Sequence, residues 1–216
     1  MLTFAEEIFL LALDDRQGAL RPMPVLALDY ALAGAVITEL ALQNRVDTDV
    51  TTLTVVNPAP TGDPLLDDAL AELTAAGTRQ KLHYWLEHLS GEARQIQAMV
   101  LKQLVDRGIL KCEDRRILWV FHSRRYPLLD NREIKEVRLR LRELILSQDI
   151  PDPRDAVLIS LADACCLLGP LFTREERDLC QPRIAALAKL DLVGQEVAKA
   201  VRNISQAIAL ATAGAP

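Results

Sequence analysis

The sequence lacks any uncharged apolar run near the roughly 20 residues that a membrane-spanning helix needs. Its first residues, Met-Leu-Thr-Phe-Ala-Glu-Glu-Ile, also lack a basic stretch ahead of the apolar ones, and Glu6 and Glu7 interrupt these. This is not the pattern of a signal peptide. We therefore expect a cytoplasmic protein, and any membrane contact should be peripheral, on the cytoplasmic face.

Aromatic residues and glycine are also scarce. Phe, Trp and Tyr make up 4% of the 216 residues, and there are 9 glycines, whereas half of the chain is hydrophobic and dominated by Ala and Leu. This composition favours helices packed through aliphatic side chains over a sandwich or barrel. We predict a mainly α-helical fold, one domain over residues 1–216, with short strands and a projecting β-hairpin.

The motifs of the common enzyme classes are missing as well. The glycines are isolated, so there is no nucleotide-binding loop or nucleophile elbow. His83 and His88 lie five positions apart, which does not place two metal ligands on one helical face. The four cysteines lack CxxC spacing and are more simply interpreted as thiols in a reducing compartment. We predict no enzymatic activity, no cofactor, no metal and no nucleic-acid partner; only a deep pocket with strongly shifted carboxylates or histidines would indicate an enzyme.

Capping patterns mark several of the predicted helices. Thr3 with Glu6 and Thr173 with Glu176 are capping boxes, and Asp63 before Pro64 is typical of a helix start. The predicted helices cover approximately residues 3–13, 26–42, 64–75, 79–88, 91–107 with Ser90 as cap, 130–146, 156–168, 174–190 and 193–211. The helix over 26–42 is apolar on nearly every side, so we expect it at the centre of the core.

Strands are predicted in two places. Residues 46–56 alternate and are rich in Thr and Val. A hairpin is predicted with strands 109–112 and 116–121 flanking the charged segment 113–115. Its second strand is apolar on both faces and must be covered, either within the chain, by a partner subunit or by lipid. Ile117, Trp119 and Phe121 are the predicted membrane or subunit contacts.

The charge is unevenly distributed. Residues 102–142 contain 12 Lys and Arg against 6 Asp and Glu, although the whole chain has a net charge of −5. A basic segment on an acidic protein can orient it towards an anionic surface. The predicted membrane-facing patch consists of Arg124, Arg125, Arg132 and Lys135, and Arg138 and Arg142 share its helical spacing. The alternative is a solvated helix face paired with its own glutamates.

Five segments, in order, resemble the Golgi phosphoprotein 3 family of membrane-peripheral proteins. The most distinctive reads Asn-Pro-Ala-Pro-Thr-Gly-Asp-Pro-Leu-Leu-Asp-Asp-Ala-Leu, over residues 57–70. The others are Leu-Leu-Ala-Leu-Asp-Asp from Leu10, Glu-Leu-Ala-Leu from Glu39, Trp-Leu-Glu-His-Leu-Ser-Gly-Glu from Trp85 and Leu-Val-Asp-Arg-Gly-Ile-Leu from Leu104. The match spans nearly the whole chain, and the arginine-rich composition is typical of a GC-rich bacterial source.

The resemblance implies binding of the phosphatidylinositol 4-phosphate headgroup through an aromatic residue and several arginines. In this sequence the aromatic falls near residues 23–24, and the arginine of the following helix falls at Ala33. Of two later arginines, Arg94 is kept and Gln97 replaces the other, while Arg21 is a candidate substitute cation. Losing two guanidinium groups removes charge-assisted phosphate contacts, so we expect reduced phosphoinositide specificity.

The function predicted from the sequence is therefore a non-enzymatic peripheral membrane module that binds anionic phospholipid headgroups. In the family, the hairpin is associated with oligomerisation and membrane contact, so the resemblance also implies a homo-oligomer through this element. The alternative is a cytosolic helical interaction module that self-associates through the hairpin and binds no lipid. Salt separates the two, since charge attraction weakens with ionic strength and an apolar interface persists.

Overall fold

The structure is a computed structural model that describes residues 1–14, 18–48, 52–76, 80–111, 113–117, 121–125, 129 and 132–213. Within 113–117, 121–125 and 212–213 it describes the backbone alone. The helices of the described residues are α1 Phe4–Ala12, α2 Ala27–Leu42, α3 Pro64–Ala75, α4 Leu82–Gly91, α5 Ala93–Asp106, α6 Arg132–Leu146, α7 Pro153–Ala164, α8 Arg174–Leu187 and α9 Leu192–Ala213. The strands are β1 Val46–Thr48, β2 Thr52–Val55, β3 Gln80–Lys81, β4 Glu113–Ile117 and β5 Phe121–Arg125. The prediction of a mainly α-helical fold with a hairpin and short strands is confirmed.

Helix α2 is the centre of the core, as its apolar sequence predicts. Nearly all of its residues are buried, and α1, α3, α4, α5, α7 and α9 all pack against it. Gly34 lets two neighbours approach closely, because a Cβ there would lie 2.9 Å from Val197 Cγ2 and 3.0 Å from Leu161 Cδ2. A methyl group at this position would have to displace side chains of both α9 and α7.

The helix starts follow the capping signals. Thr3 and Thr173 form complete capping boxes with Glu6 and Glu176. Asp63 caps α3, and Pro64 occupies its first turn, where a missing N–H is not needed. These three helix starts agree with the sequence predictions; the predicted cap at residue 130 lies outside the described residues.

Three other helix boundaries differ from the prediction. Ser90 is not the cap of α5: it lies inside α4, and the chain turns between the helices at Glu92. Helix α7 begins at Pro153 rather than 156, because Asp152 accepts a hydrogen bond from the backbone N–H of Asp155. It ends at Ala164 rather than 168, since Cys166 has a left-handed backbone with φ of 59°.

The hairpin is displaced along the sequence from its predicted position. Strands β4 and β5 pair antiparallel, with Glu113 opposite Arg125 and Ile117 opposite Phe121. The charged residues 113–115 therefore form part of the first strand, so interpreting them as the turn was wrong. Arg124 and Arg125 of the predicted patch lie in the second strand. The polar sequence of β4 lacks the apolar alternation that marks a half-buried strand. A separate antiparallel sheet has the order β1-β2-β3.

An ion-pair network surrounds α1. We call it the N-terminal network; it consists of Glu6, Glu7, Glu39, Asp155, Arg107, Arg140 and Arg154. Glu6 and Glu7 are 1% and 2% exposed. Arg107 Nη1 lies 2.7 Å from Glu6 Oε2, and Arg140 Nη2 lies 2.9 Å from Glu7 Oε1. Two buried carboxylates in an otherwise apolar helix thus each have an arginine partner.

Arg154 joins three parts of this network. Its guanidinium lies 3.4 Å from Glu7 Oε2 and 3.5 Å from Glu39 Oε2, and it stacks over the Phe4 ring at 4.2 Å from the centroid. Burial raises the pKa of Glu7, against the effect of its hydrogen bond from Arg140. Removing one partner from such a site leaves a buried charge uncompensated, so the network fixes α1 to α2, α6 and α7.

Candidate functional site

The proline-rich signature loop builds its own structure rather than a binding site. Thr61 donates to Asp67 Oδ1 through both its N–H, at 2.6 Å, and its hydroxyl, at 2.7 Å. Both bonds lower the pKa of Asp67, and the bond from the Thr61 hydroxyl has the larger effect. Gly62 has φ of 89°, which favours glycine, and Arg45 donates to the carbonyl of Pro60. The loop's polar groups are therefore used to start α3 and to attach the loop to the β1 segment.

A shallow cavity of about 330 Å³ lies where the sequence resemblance places the headgroup site. Its walls are the loop 20–24, the first residues of α2 and Gln97 of α5. Arg21 and Gln97, two of the predicted headgroup residues, thus face the same space. Neither an aromatic side chain nor a second arginine is among the lining residues.

Asp29 places a carboxylate in this cavity, which the sequence analysis missed. Gln97 Nε2 donates to Asp29 Oδ1 at 2.9 Å. Burial raises the pKa of Asp29, and the Gln97 hydrogen bond acts in the opposite direction. The replacement of arginine by glutamine is therefore matched by an acidic partner, and an anionic ligand would meet one cation and one carboxylate here.

Arg21 is fixed by the loop that carries it. Its Nε donates to the carbonyl of Leu13 at 3.0 Å, and its backbone N–H donates to Ala12 at 2.8 Å. A second cavity, of about 440 Å³, shares Leu20, Arg21 and Pro22 with the first and extends to Cys166 and Pro170. Arg21 therefore lies on the boundary between two open depressions, with its guanidinium partly used for structure.

Arg94 lies three residues before Gln97 on α5, on the same side of the helix. Its side chain is exposed, and it forms no hydrogen bond or ion pair within the described part of the chain. It is not among the residues that line the cavity, but it lies one helical turn before Gln97, which is. A cation there can reach a ligand without first breaking an internal contact.

Helix α6 uses its cations in two different ways. Arg132 and Lys135 are exposed, as predicted for the patch, and Lys135 forms no ion pair with the described residues. Arg140 and Arg142, further along, point to internal partners: Arg140 belongs to the N-terminal network, and Arg142 forms a bidentate pair with Glu176 at 2.6 and 2.8 Å. Within the described residues, the exposed cations of α6 thus lie in its first half, whereas Arg140 and Arg142 in its second half have internal partners.

The predicted hairpin contacts are only partly described. Trp119 lies outside the described residues. Ile117 and Phe121 are opposite each other where β4 and β5 pair, and Arg124 and Arg125 lie in β5, all by their backbone alone. Their role at a membrane or subunit surface stays a prediction.

A second cluster was missed by the sequence analysis. One ligand atom from each of Glu72, His88 and Glu92 lies within 4.8 Å of the others. The sequence analysis paired His88 only with His83, and both are on α4; the actual neighbours come from α3 and from the turn before α5. The signal that was available is the helical spacing of His88 and Glu92, four residues apart.

None of the helices in the described ranges has the length and apolar character of a membrane span. The comparisons with known proteins agree on one family. A family model for Golgi phosphoprotein 3 (GPP34) matches residues 4–204. The chain is also similar to Vacuolar protein sorting-associated protein 74 of Eremothecium gossypii, with 28% identity over 170 residues that cover 69% of this chain and 50% of that protein. The aligned region thus spans half the length of this relative.

Proposed function

Because the chain belongs to the Golgi phosphoprotein 3 (GPP34) family, we propose that it is a non-enzymatic peripheral module that binds anionic phospholipid headgroups on the cytoplasmic face of a membrane. The observation that carries the proposal is the position of Arg94. Among the described residues it is an exposed arginine without an internal partner, one helical turn before Gln97, which lines an open depression together with Arg21. Guanidinium groups are well suited to phosphate oxygens because they donate in a planar fork.

The charges beside this depression support binding of low headgroup selectivity. Asp29 repels an added phosphate, and Gln97 is occupied by Asp29. Arg94 is then attracted by the total negative charge of the membrane surface and does not select one phosphate of one lipid. Phosphatidylinositol 4-phosphate, the ligand that family resemblance suggests, should bind only slightly better than other lipids of similar charge.

Exposed cations on α6 add to the same attraction. Arg132 and Lys135 are at the solvent side of that helix, and each cation near an anionic leaflet contributes about 1 kcal/mol. This corresponds to about a fivefold change in binding per cation. The attraction should therefore fall as salt is raised, because the Debye length shortens.

Liposome flotation tests the proposal. Vesicles of phosphatidylcholine alone are compared with vesicles that contain phosphatidylglycerol, cardiolipin or phosphatidylinositol 4-phosphate, at equal surface charge and at two salt concentrations. We expect binding to all three anionic compositions and not to the neutral one. Arg94→Ala should weaken binding about fivefold, while Arg177→Ala, which removes an exposed arginine from α8, is the matched control.

A second variant tests whether the depression contacts the headgroup. Asp29→Asn keeps an acceptor for Gln97 but removes the carboxylate charge, so it should raise binding to phosphatidylinositol 4-phosphate more than to phosphatidylglycerol. An equal rise for both lipids would indicate a general charge effect outside the depression. Failure of the native protein to bind any anionic vesicle would contradict the proposal and favour the self-association module, which size measurements at rising salt would then identify.

A further inference from the structure

Glu72, His88 and Glu92 come together from three positions in the fold. Glu72 is in the third turn of α3, His88 is in the last turn of α4, and Glu92 occupies the turn that joins α4 to α5. His88 Nε2 lies 3.0 Å from Glu72 Oε2, and all three candidate ligand atoms are within 4.8 Å of one another. For a tetrahedral ion with bonds of about 2.1 Å, neighbouring ligand atoms are about 3.4 Å apart. The spacing of the cluster is therefore close to that of metal ligands.

The imidazole of His88 is held in place by its own helix. Tyr84 stacks on it with an interplanar angle of 6° and centroids 6.1 Å apart, and Trp85 meets it edge-on at 5.5 Å. The backbone of Glu92 is held in the turn, because its N–H donates to the carbonyl of Leu89 at 3.0 Å. A ligand that is already oriented loses little freedom when an ion binds.

The charge of the cluster is not balanced within the described part of the chain. Asp68, Glu72 and Glu92 are three carboxylates on the wall of one small cavity. His88 is the basic side chain beside them, with its Nε2 3.0 Å from Glu72 Oε2. No lysine or arginine of the described residues pairs with Asp68, Glu72 or Glu92, in contrast to the carboxylates around α1. Neighbouring carboxylates in this situation are stabilised by a shared proton or by a cation.

The space between the two glutamates is small. The cavity that Glu72 and Glu92 line has a volume of about 10 Å³, which is close to the minimum for one water molecule. Leu65, Leu89 and Met99 form part of its wall. Apolar surroundings strengthen the attraction between carboxylates and a cation, since water screens them less.

We propose that Glu72, His88 and Glu92 bind a divalent transition-metal ion of the Zn²⁺ type, which joins α3 to the turn between α4 and α5. One imidazole and two carboxylates suit zinc, whereas Mg²⁺ and Ca²⁺ favour sites made of oxygen ligands alone. Three protein ligands leave one position for water on the solvent side. The role we assign is structural, because the three ligands come from α3, from α4 and from the turn before α5.

The first experiment measures metal binding and thermal unfolding after treatment with a chelator. Zn²⁺ should bind with a stoichiometry of one and raise Tm by about 5 °C at about 100 times its Kd, and Mg²⁺ at the same concentration should not. The measurement uses a Cys166→Ser background, because the exposed Cys166 thiol is a competing zinc ligand. No saturable binding, or an equal effect of Mg²⁺, would overturn the proposal and leave an adventitious ion only.

Two variants on α4 provide the matched comparison. His88→Gln should weaken Zn²⁺ binding at least tenfold and abolish the rise in Tm. His83→Gln removes a histidine from the same helix that lies 4.0 Å from Glu87 and does not belong to the cluster, so it should leave binding unchanged. If both variants bind Zn²⁺ as the parent does, the ion is elsewhere and the proposal is wrong.

Glu92→Gln distinguishes a metal from a shared proton. If the carboxylates only share a proton, Zn²⁺ changes the Tm of neither the native protein nor this variant, which contradicts the proposal. If the site binds zinc, the variant loses the response to Zn²⁺ that the native protein shows. None of the three ligands lines the depression beside Arg21, so the outcome is independent of lipid binding.

Discussion

Around α1, four carboxylates meet three arginines, whereas between α3 and α5 three carboxylates meet one histidine. The first region is the N-terminal network, in which Glu6 and Glu7 are almost fully buried. The second is the cluster of Asp68, Glu72 and Glu92 around His88, which stays in contact with solvent. The same chemical group is thus neutralised by arginine in one region and left without an arginine in the other.

The difference shows that burial decides whether a carboxylate must have a partner within the protein. A buried carboxylate without a partner is too costly to persist, so the interior network is complete within the protein. A half-exposed carboxylate can remain unpaired, and its charge stays available to a proton or an ion. We therefore expect opposite results when single charges are removed from the two regions.

The largest effect should come from the N-terminal network. Arg154→Ala leaves Glu7 and Glu39 with less compensation and removes the cation above Phe4. We expect the free energy of unfolding to fall by about 3 kcal/mol. Urea unfolding followed by circular dichroism measures this change, with Arg177→Ala as the exposed-arginine control. A loss below about 1 kcal/mol would show that the network's geometry contributes little net stability.

A smaller, pH-dependent effect on stability should come from Glu176. This carboxylate of α8 is also paired with an arginine, Arg142 of α6. The hydrogen bond from Arg142 lowers the pKa of Glu176 from its usual 4.5 to about 2. A lowered carboxylate pKa contributes stability above the unfolded value, and this contribution is lost as pH falls from about 4.5 towards 2. Glu176→Gln should therefore be less stable than the native protein at pH 7 and equal to it near pH 2, as pH-dependent thermal unfolding would show. A constant difference at all pH values would contradict the pairing.

The smallest effect should have the opposite sign. In chelator, Glu92→Gln should be more stable than the native protein at neutral pH by about 0.5 kcal/mol, because it removes a repulsion between carboxylates. Burial and Glu72 raise the pKa of Glu92 above its usual 4.5. The native protein therefore loses stability as pH rises from about 4.5 through the raised pKa. The advantage of the variant should disappear at low pH, where Glu92 is protonated. Parallel denaturant titrations at pH 4 and pH 7 test this, and a variant less stable at pH 7 would contradict the repulsion.

Local signals in the sequence predicted much of the fold. The bounds of α3 follow from Asp63 and Pro64, and the central position of α2 follows from its apolar surface on every side. The hairpin strands were misplaced because the residues 113–117 are almost all charged, so pattern alone did not indicate a strand. Capping and hydrophobicity act within one turn or one face, and these are the features a sequence displays directly.

Contacts between distant residues could not be predicted in this way. Glu6 was predicted to cap α1 with Thr3, and Glu7 was noted only as a charge in an apolar segment. Their arginine partners lie 101 to 147 positions away. The positions of Arg21 and Gln97 at one depression came from family resemblance, not from a pattern in the chain. Asp29 was missed there because its contact with Gln97 crosses 68 residues.

The arginines that pair with the glutamates of α1 are Arg107, Arg140 and Arg154, all in the later part of the chain. During synthesis, α1 precedes these partners by about 100 residues or more, which at a rate of about 5–20 residues per second is several seconds of translation. Over that interval its two adjacent glutamates have no guanidinium to face, and the helix cannot be buried at low cost. The first helix of this sequence is therefore one of the last that can take its final place, and a nascent chain that stops before Arg154 should expose it.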